Sequence, residues 1–246
     1  MARFFVPRKS LEGKKARLSG QELEHMRKVL RLQPGDHVTL FDDEGWEHEG
    51  VIRSYTERLG EMEILTSRKP ERESPIEVTL AQALGKGEKM DFVVEKATEL
   101  GVRRIAPFLS SRTIPKLDKE KMERRQARWN KIALSAAKQC GRTQVPEILA
   151  VSDFPELVRR PWPCEQKLLF WEEESRQSLT QIREEKNRLG SLLLVIGPEG
   201  GFHPQEVSEA MRHGFRAVRL GRRILRTETA ALAALAIVQF LWGDMG

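Results

Sequence analysis

An α/β architecture with a mostly parallel sheet, preceded by a small β-barrel, is predicted from three features of the 246-residue chain. Residues 1–70 carry short β-like runs separated by turn signals, and residues 75–246 alternate apolar strand runs with helical runs. Between them Ser67–Pro75 is polar and without apolar periodicity, the composition of a linker.

The barrel strands are expected at Arg3–Val6, Ala16–Leu18, His37–Asp42, Glu47–Tyr55 and Gly60–Leu65. Turns at Pro34-Gly35-Asp36 and Asp42-Asp43-Glu44-Gly45 separate them. One helix, Ser19–Leu30, interrupts the strands; Ser19 with Glu22 three residues on has the pattern of a capping box. In the second domain, strands are expected at Ile76–Leu84, Arg104–Leu109, Glu147–Val151, Lys167–Trp171, Ser191–Ile196 and Ala217–Leu220. Helices are expected at Glu88–Leu100, Asp118–Gln139, Phe154–Arg159, Ser178–Arg188, Pro204–His213 and Thr227–Trp242. Pro204 suits a first helical position, and Gly101, Gly141, Gly190 and Gly214 follow helical runs. Alternation of this kind places helices on both faces of a parallel sheet.

Hydrophobic residues at 39% and charged residues at 32% describe a chain that folds in water. No apolar run has the length of a membrane span, and Met1–Pro7 is too short in apolar residues for a signal-peptide core, so the cytoplasm is the default. Cys140 and Cys164 lack metal-ligand spacing, the five histidines form no ligand pair at helical spacing, and neither a disulfide nor a metal site is expected. The net charge of +6 reads either as a polyanion-binding surface or as a solvated mixed surface.

The densest signal is Leu192–Phe202 followed by Leu220–Ala231. Gly197-Pro198-Glu199-Gly200-Gly201 follows an apolar strand and is either a tight strand-to-helix turn or a loop that approaches a ligand closely. It has neither the spacing of a dinucleotide fingerprint nor the Lys and Ser/Thr of a P-loop. The second loop leads into a small-residue helix, which Thr227 or Thr229 could cap and whose positive end Glu228 complements. Arg226 and Glu228 are either a structural pair or part of a site beside the glycine loop.

These two strings resemble the SPOUT class of RNA methyltransferases, and more narrowly the bacterial 16S rRNA uridine-N3 methyltransferase family. His25-Met26-Arg27-Lys28-Val29-Leu30-Arg31, Gly87–Asp91 with Glu95–Gly101, and Gln139-Cys140-Gly141-Arg142 agree, so the resemblance spans essentially the whole chain. It implies a PUA-like, RNA-holding barrel and a trefoil-knotted C-terminal domain, an exception to the rule against threaded connections. It further implies S-adenosylmethionine as cofactor, held by three loops. The residues matched for that role are Phe170, Trp171, Ile196, Gly197, Pro198, Glu199, Gly200, Gly201, Leu220, Gly221, Ile224, Leu225 and Thr229. The partners implied are 16S rRNA in the assembled small ribosomal subunit and a second copy of the chain, with no membrane and no metal.

The resemblance implies methyl transfer to N3 of a uridine, which must lose its proton. Arg226 is the expected cation for the developing uridinate, and Glu228 is either the base or the group that orients Arg226 or caps the helix. For RNA, Arg27, Lys28 and Arg31 are the expected contacts, since Arg27 and Arg31 at helical spacing share a face. Arg103, Arg104, Arg112, Lys116, Arg124, Arg125 and Arg128 are further basic candidates. Competing readings are a non-catalytic RNA-binding or ribosome-assembly module, a nucleotide-using metabolic enzyme, and a SPOUT methyltransferase of another RNA nucleotide.

Overall fold

In the computed structural model the N-terminal segment lays down β1 (Ala2–Phe5), β2 (Leu11–Glu12), β3 (Lys15–Leu18), β4 (His37–Phe41), β5 (Glu47–Tyr55) and β6 (Gly60–Arg68). They form one sheet in the order β1-β4-β5-β6-β3-β2, with β1 and β4 parallel and the other pairs antiparallel. The structure describes residues 2–85, 87–112, 118–174 and 177–246, and Lys116 lies outside them. Alternation turns Ala16 and Leu18 inward and Lys15 and Arg17 outward. Register shifts in the β5–β6 pair bend the sheet around a core that includes Phe4, Leu18, Leu40, Ile52 and Met62. Gly50 sits at one shift, where a Cβ would lie 2.9 Å from the Glu63 carbonyl oxygen.

The expected helix Ser19–Leu30 is shorter and changes form. An α-helix, α1 (Gly20–Glu24), gives way to a π-helical turn at His25–Val29, and Leu23 and Met26 from the two pieces enter the barrel core. Ser19 stands at the N-cap without a side-chain bond, so the capping box does not form. The carboxylate of Glu22 is engaged elsewhere: it accepts from the Phe5 N–H at 3.0 Å and from Lys138 Nζ at 2.9 Å. Arg31 lies beyond the turn in left-handed backbone, φ 54°, so Arg27 and Arg31 are not neighbours on one regular helix face.

Ser67–Pro75 is not a loose linker. Buried Glu47 accepts hydrogen bonds from Arg3, Arg68 and Arg72, and Glu73 accepts from Arg142 and from the Thr143 and Gln144 N–H groups. Accordingly the chain divides into Met1–Glu73 with Ala137–Val145, and Ser74–Ala136 with Pro146–Gly246; residues 137–145, placed by sequence in the second domain, belong with the first.

The second unit holds β7 (Glu77–Ala83), β8 (Arg104–Leu109), β9 (Glu147–Ile148), β10 (Ser152–Asp153), β11 (Gln166–Phe170), β12 (Ser191–Ile196) and β13 (Arg216–Val218). All pairs are parallel, in the order β10-β8-β7-β12-β11-β13 with β9 also on β8. The expected strand Glu147–Val151 forms only at Glu147–Ile148, and a second short strand, Ser152–Asp153, follows beyond its expected end; both pair with β8. Central β12 is buried from Leu192 to Ile196, which is why it reads as an unbroken apolar run.

The helices are α2 (Lys89–Glu99), α3 (Lys119–Cys140), α4 (Phe154–Arg159), α5 (Leu179–Glu185), α6 (Pro204–Arg212) and α7 (Thr227–Trp242). Phe202, just after the glycine loop, packs between Phe108 and Phe154 with ring centroids 6.4 and 5.5 Å away. A Cβ on Gly197 would lie 2.9 Å from the Phe202 ring, so the glycine lets the loop fold back over that core. From β13 at the sheet edge the chain returns to pack α7 against α2 and β12, burying Ala231, Ala234, Leu235 and Val238. A returning C-terminal segment is the path that the knotted resemblance implies. Among the described residues no helix is long and apolar enough to cross a membrane.

Candidate functional site

Parallel pairing brings Phe170, Ile196 and Val218 to one level, so the loops after β11, β12 and β13 leave the sheet at the same end. Ligands of open parallel sheets bind at that carboxyl end. A cleft of about 440 Å³ opens there, a size suited to a nucleoside-sized ligand. Its wall includes Phe170, Trp171, Ile196, Gly197, Pro198, Glu199, Gly201, Leu220, Gly221, Ile224 and Leu225, all expected from the sequence. Gly200 and Thr229 are not on it. The Gly200 carbonyl accepts from Arg112 Nη1 at 2.6 Å, and Thr229 faces solvent from α7. Glu172, Arg222 and Arg223, which lie in the three loops matched to the cofactor, are on it too, and the structure adds Lys89, Arg219, Thr227 and Ala230.

Thr227 ties the walls together. Its hydroxyl donates to the Gly197 carbonyl at 2.6 Å and accepts from Gln82 Nε2 at 2.8 Å. Thr227 therefore does not cap α7: Arg226 holds the N-cap position, with no side-chain cap bond. Gly201 and Gly221 adopt φ of 66° and 89°, values that favour glycine. A Cβ on Gly201 would also strike the Glu172 carboxylate, so the glycine lets that side chain lie against the loop.

The charges are arranged asymmetrically. Lys89, the first residue of α2, places Nζ 2.8 Å from Glu199 Oε1 and 3.5 Å from Glu228 Oε2. The hydrogen bond to Glu199, reinforced by both carboxylate charges, outweighs partial burial and holds the ammonium above its ordinary pKa. Glu228 is not on the cleft wall; it stands behind it in the first turn of α7. Arg226 is on the wall and exposed, and no hydrogen bond or ion pair holds its guanidinium among the described residues. Among the described residues buried Trp171 Nε1 has no acceptor, an unspent donor at the cleft. The wall therefore offers a glycine cradle, one indole donor and an unpaired guanidinium.

Lys89 follows no local signal of a site. It arrives because β7 lies beside β12, with Gln82 opposite Ile196, and α2 starts from that same end of the sheet. In the N-terminal unit, the Arg27 guanidinium lies 5.2 Å over the Tyr55 ring and Lys28 pairs with Glu24 at 3.0 Å. Several further basic candidates are engaged by acids: Arg104 by Glu77 and Glu147, Arg124 by Glu120, Arg128 by Glu88 and Asp91.

Residues 72–239 match the family of RNA methyltransferase domains, and residues 18–56 match the RNA methyltransferase PUA domain. Ribosomal RNA small subunit methyltransferase E of Bacillus subtilis (strain 168) is 34% identical over 227 residues, which cover 91% of this chain and 89% of the relative. The protein of that name from Mycobacterium tuberculosis is 33% identical over 245 residues, covering 97% and 91%. The crystal structure of ribosomal RNA small subunit methyltransferase E from Neisseria gonorrhoeae bound to S-adenosyl methionine has a TM-score of 0.89, 37% identity and full coverage of both chains. A Legionella pneumophila methyltransferase in complex with the same cofactor has a TM-score of 0.89 at 36% identity, covering 98% of each chain.

Proposed function

Because the chain belongs to the RNA methyltransferase family that includes ribosomal RNA small subunit methyltransferase E, we propose that it methylates N3 of a uridine in 16S rRNA, using S-adenosylmethionine. The observation that carries this reading is the three-loop cleft with the unpaired Arg226 on its wall. Phe170, Trp171, the Ile196–Gly201 loop and Leu220–Leu225 would hold the cofactor, and the unspent Trp171 Nε1 and the Gly201 cradle fit a ligand seated against backbone. Bound S-adenosylmethionine supplies an electrophilic methyl group on a sulfonium.

The protein's residues have a complementary task. Uracil N3 bears a proton and is nucleophilic only as that proton leaves, when negative charge spreads onto the flanking carbonyl oxygens. Arg226, permanently charged and with its donors free, stabilises that charge. Glu228, set behind the wall beside Lys89, acts by orienting the start of α7, with Lys89 neutralising it and Glu199 together. In the barrel, Arg27, Lys28 and Arg31 engage the RNA backbone.

A homodimer through α2 and α7 fits this arrangement. The two helices pack together, and Phe92 on one and Ile237 and Phe240 on the other leave large apolar side chains exposed. The protein would act in the cytoplasm on assembled small subunits.

Calorimetric titration with S-adenosylmethionine, followed by methyl transfer to isolated small ribosomal subunits and nucleoside mass spectrometry, tests the reading. Cofactor binding with a 3-methyluridine product is expected. RNA binding without cofactor affinity would instead identify a non-catalytic module, and another methylated nucleoside would replace the proposed target.

A further inference from the structure

Val29 and Leu30 stand out in the N-terminal unit because they are 65% and 41% exposed at a place where the backbone is irregular. The Leu30 N–H reaches five residues back to the His25 carbonyl at 3.0 Å, which closes the π-helical turn. Arg31 follows with φ 54°, the one non-glycine residue in left-handed backbone among the described residues. π turns and left-handed side-chain-bearing residues are costly and concentrate at functional surfaces. This one is also braced. Met26 anchors it in the barrel core, Arg27 lies over the Tyr55 ring, and the Tyr55 hydroxyl donates to Gln33 Oε1 at 3.0 Å. Gln33 Nε2 in turn donates to the Arg31 carbonyl at 3.3 Å. The two aliphatic side chains are thus held out in water by a structure that spends backbone strain to do so.

Their surroundings specify a partner. From His25 to Gly35 the chain carries Arg27, Lys28 and Arg31 and no acid, and the neighbouring Glu24 pairs with Lys28. Two small apolar groups between cations are far too little surface for a protein interface, which takes about 800 Å² per partner. They match the face of one nucleobase. Paired bases in an RNA helix offer no such face, whereas an unpaired base exposes it and lies between phosphates that arginines can neutralise.

We infer that Val29 and Leu30 form an apolar wedge that covers one unpaired nucleotide of the RNA, while Arg27 and Arg31 bind the phosphates beside it. The inference rests on the reading that this turn faces RNA, and it adds that the turn distinguishes unpaired from paired RNA.

The test uses the whole protein and two fluorescent RNA hairpins, one fully paired and one with a single bulged uridine. The wild type is expected to bind the bulged hairpin more tightly. V29S/L30S should lose that preference, a fall of roughly five- to tenfold on the bulged hairpin, with unchanged binding of the paired one and an unchanged salt dependence. R27E/R31E should weaken binding to both hairpins and flatten the salt dependence. Should the double serine variant lose its thermal transition, V29T and L30Q tested singly carry the same expectation in smaller measure.

A preference retained in V29S/L30S, or absent in the wild type, overturns the wedge while leaving the RNA-facing turn intact if R27E/R31E is weakened. Unchanged binding by R27E/R31E overturns the RNA-facing reading and the wedge with it. Loss of binding to phosphatidylglycerol vesicles by V29S/L30S, with the RNA preference unaltered, would reassign the surface to lipid.

Discussion

The Thr227 hydroxyl donates to the Gly197 carbonyl at 2.6 Å, joining the first residue of α7 to the first residue of the glycine loop. Gln82 completes the relay from β7. T227V removes the hydroxyl, so the part-buried Gly197 carbonyl loses this donor and the buried Gln82 amide keeps only its bond to the Ala83 carbonyl, a loss of about 1 kcal/mol in stability. Cofactor affinity by calorimetry should fall roughly tenfold because the loop is no longer pinned, and T227S should restore it. Wild-type affinity in T227V would show that the loop holds its shape without this bond.

Arg226 lines the cleft, its guanidinium unpaired among the described residues. R226A should lower the single-turnover methylation rate by about 100- to 1000-fold, the scale for removing one preorganised charge-stabilising donor. Its dissociation constant for cofactor should change by less than about threefold. R226K should recover little, since an ammonium lacks the planar fork. Equal rates in wild type and R226A would remove Arg226 from the chemistry.

Lys89 separates two carboxylates, Glu199 and Glu228. K89M should weaken cofactor binding by leaving those charges face to face, and K89M/E199Q should recover part of the loss, the non-additivity of groups in contact. Lys89 is held above its ordinary pKa by the hydrogen bond to Glu199, so it stays charged through neutral pH and contributes no limb to the activity profile there. A neutral-pH limb that disappears in K89M would contradict this assignment.

Gly201 combines left-handed backbone with an approach that leaves no room for a Cβ beside Glu172. G201A should cost about 1–3 kcal/mol through backbone strain alone and should lower cofactor affinity. G201A/E172A should regain the part due to the clash and not the part due to φ. If the double variant binds cofactor no better than G201A, the Glu172 contact is irrelevant to the loop.

His48 is buried in the first unit, its Nδ1 2.8 Å from Ser67 Oγ and its Nε2 3.7 Å from Asp42 Oδ2. Burial, with Arg8 adding to it and Asp42 opposing, holds the imidazole below its ordinary value of 6.5. The unfolded chain then takes up a proton near pH 6.5 that the folded chain refuses, so stability is full above that pH and falls as pH drops through it toward the folded pKa. Thermal unfolding from about pH 8 to about pH 5 should show this decline in the wild type and a shallower one in H48Q. Parallel declines would place the titration elsewhere.

Much of this was legible in one dimension. β5 at Glu47–Tyr55, β8 at Arg104–Leu109, β12 at Ser191–Ile196, α4 at Phe154–Arg159 and α7 at Thr227–Trp242 have the bounds that periodicity predicts, because their burial follows a local pattern. Where a side chain had a distant alternative, local pattern misled. Ser19 and Glu22 have capping-box spacing, yet Glu22 is taken by Phe5 and Lys138. Thr227 has the position of a cap, yet its hydroxyl is spent on Gly197, and Arg27 and Arg31 lose their shared face to a π turn.

The sequence by itself determined the order of the longer strands and helices, the glycine-rich turn after Ile196 and the Arg226–Ala230 string beside it, since each is written in adjacent residues, while the two-residue strands β2 and β10 escaped it. Only the tertiary structure decided that Lys89 belongs to that cleft, that Gln82 and Thr227, 145 positions apart, lock it, and that residues 137–145 join the N-terminal unit. The reason is topological. β7 pairs on one side with β8, the next strand in sequence, and on the other with distant β12, so the partners of a hydroxyl or an ammonium at the end of this sheet are set by strand order, which hydrophobic period does not encode.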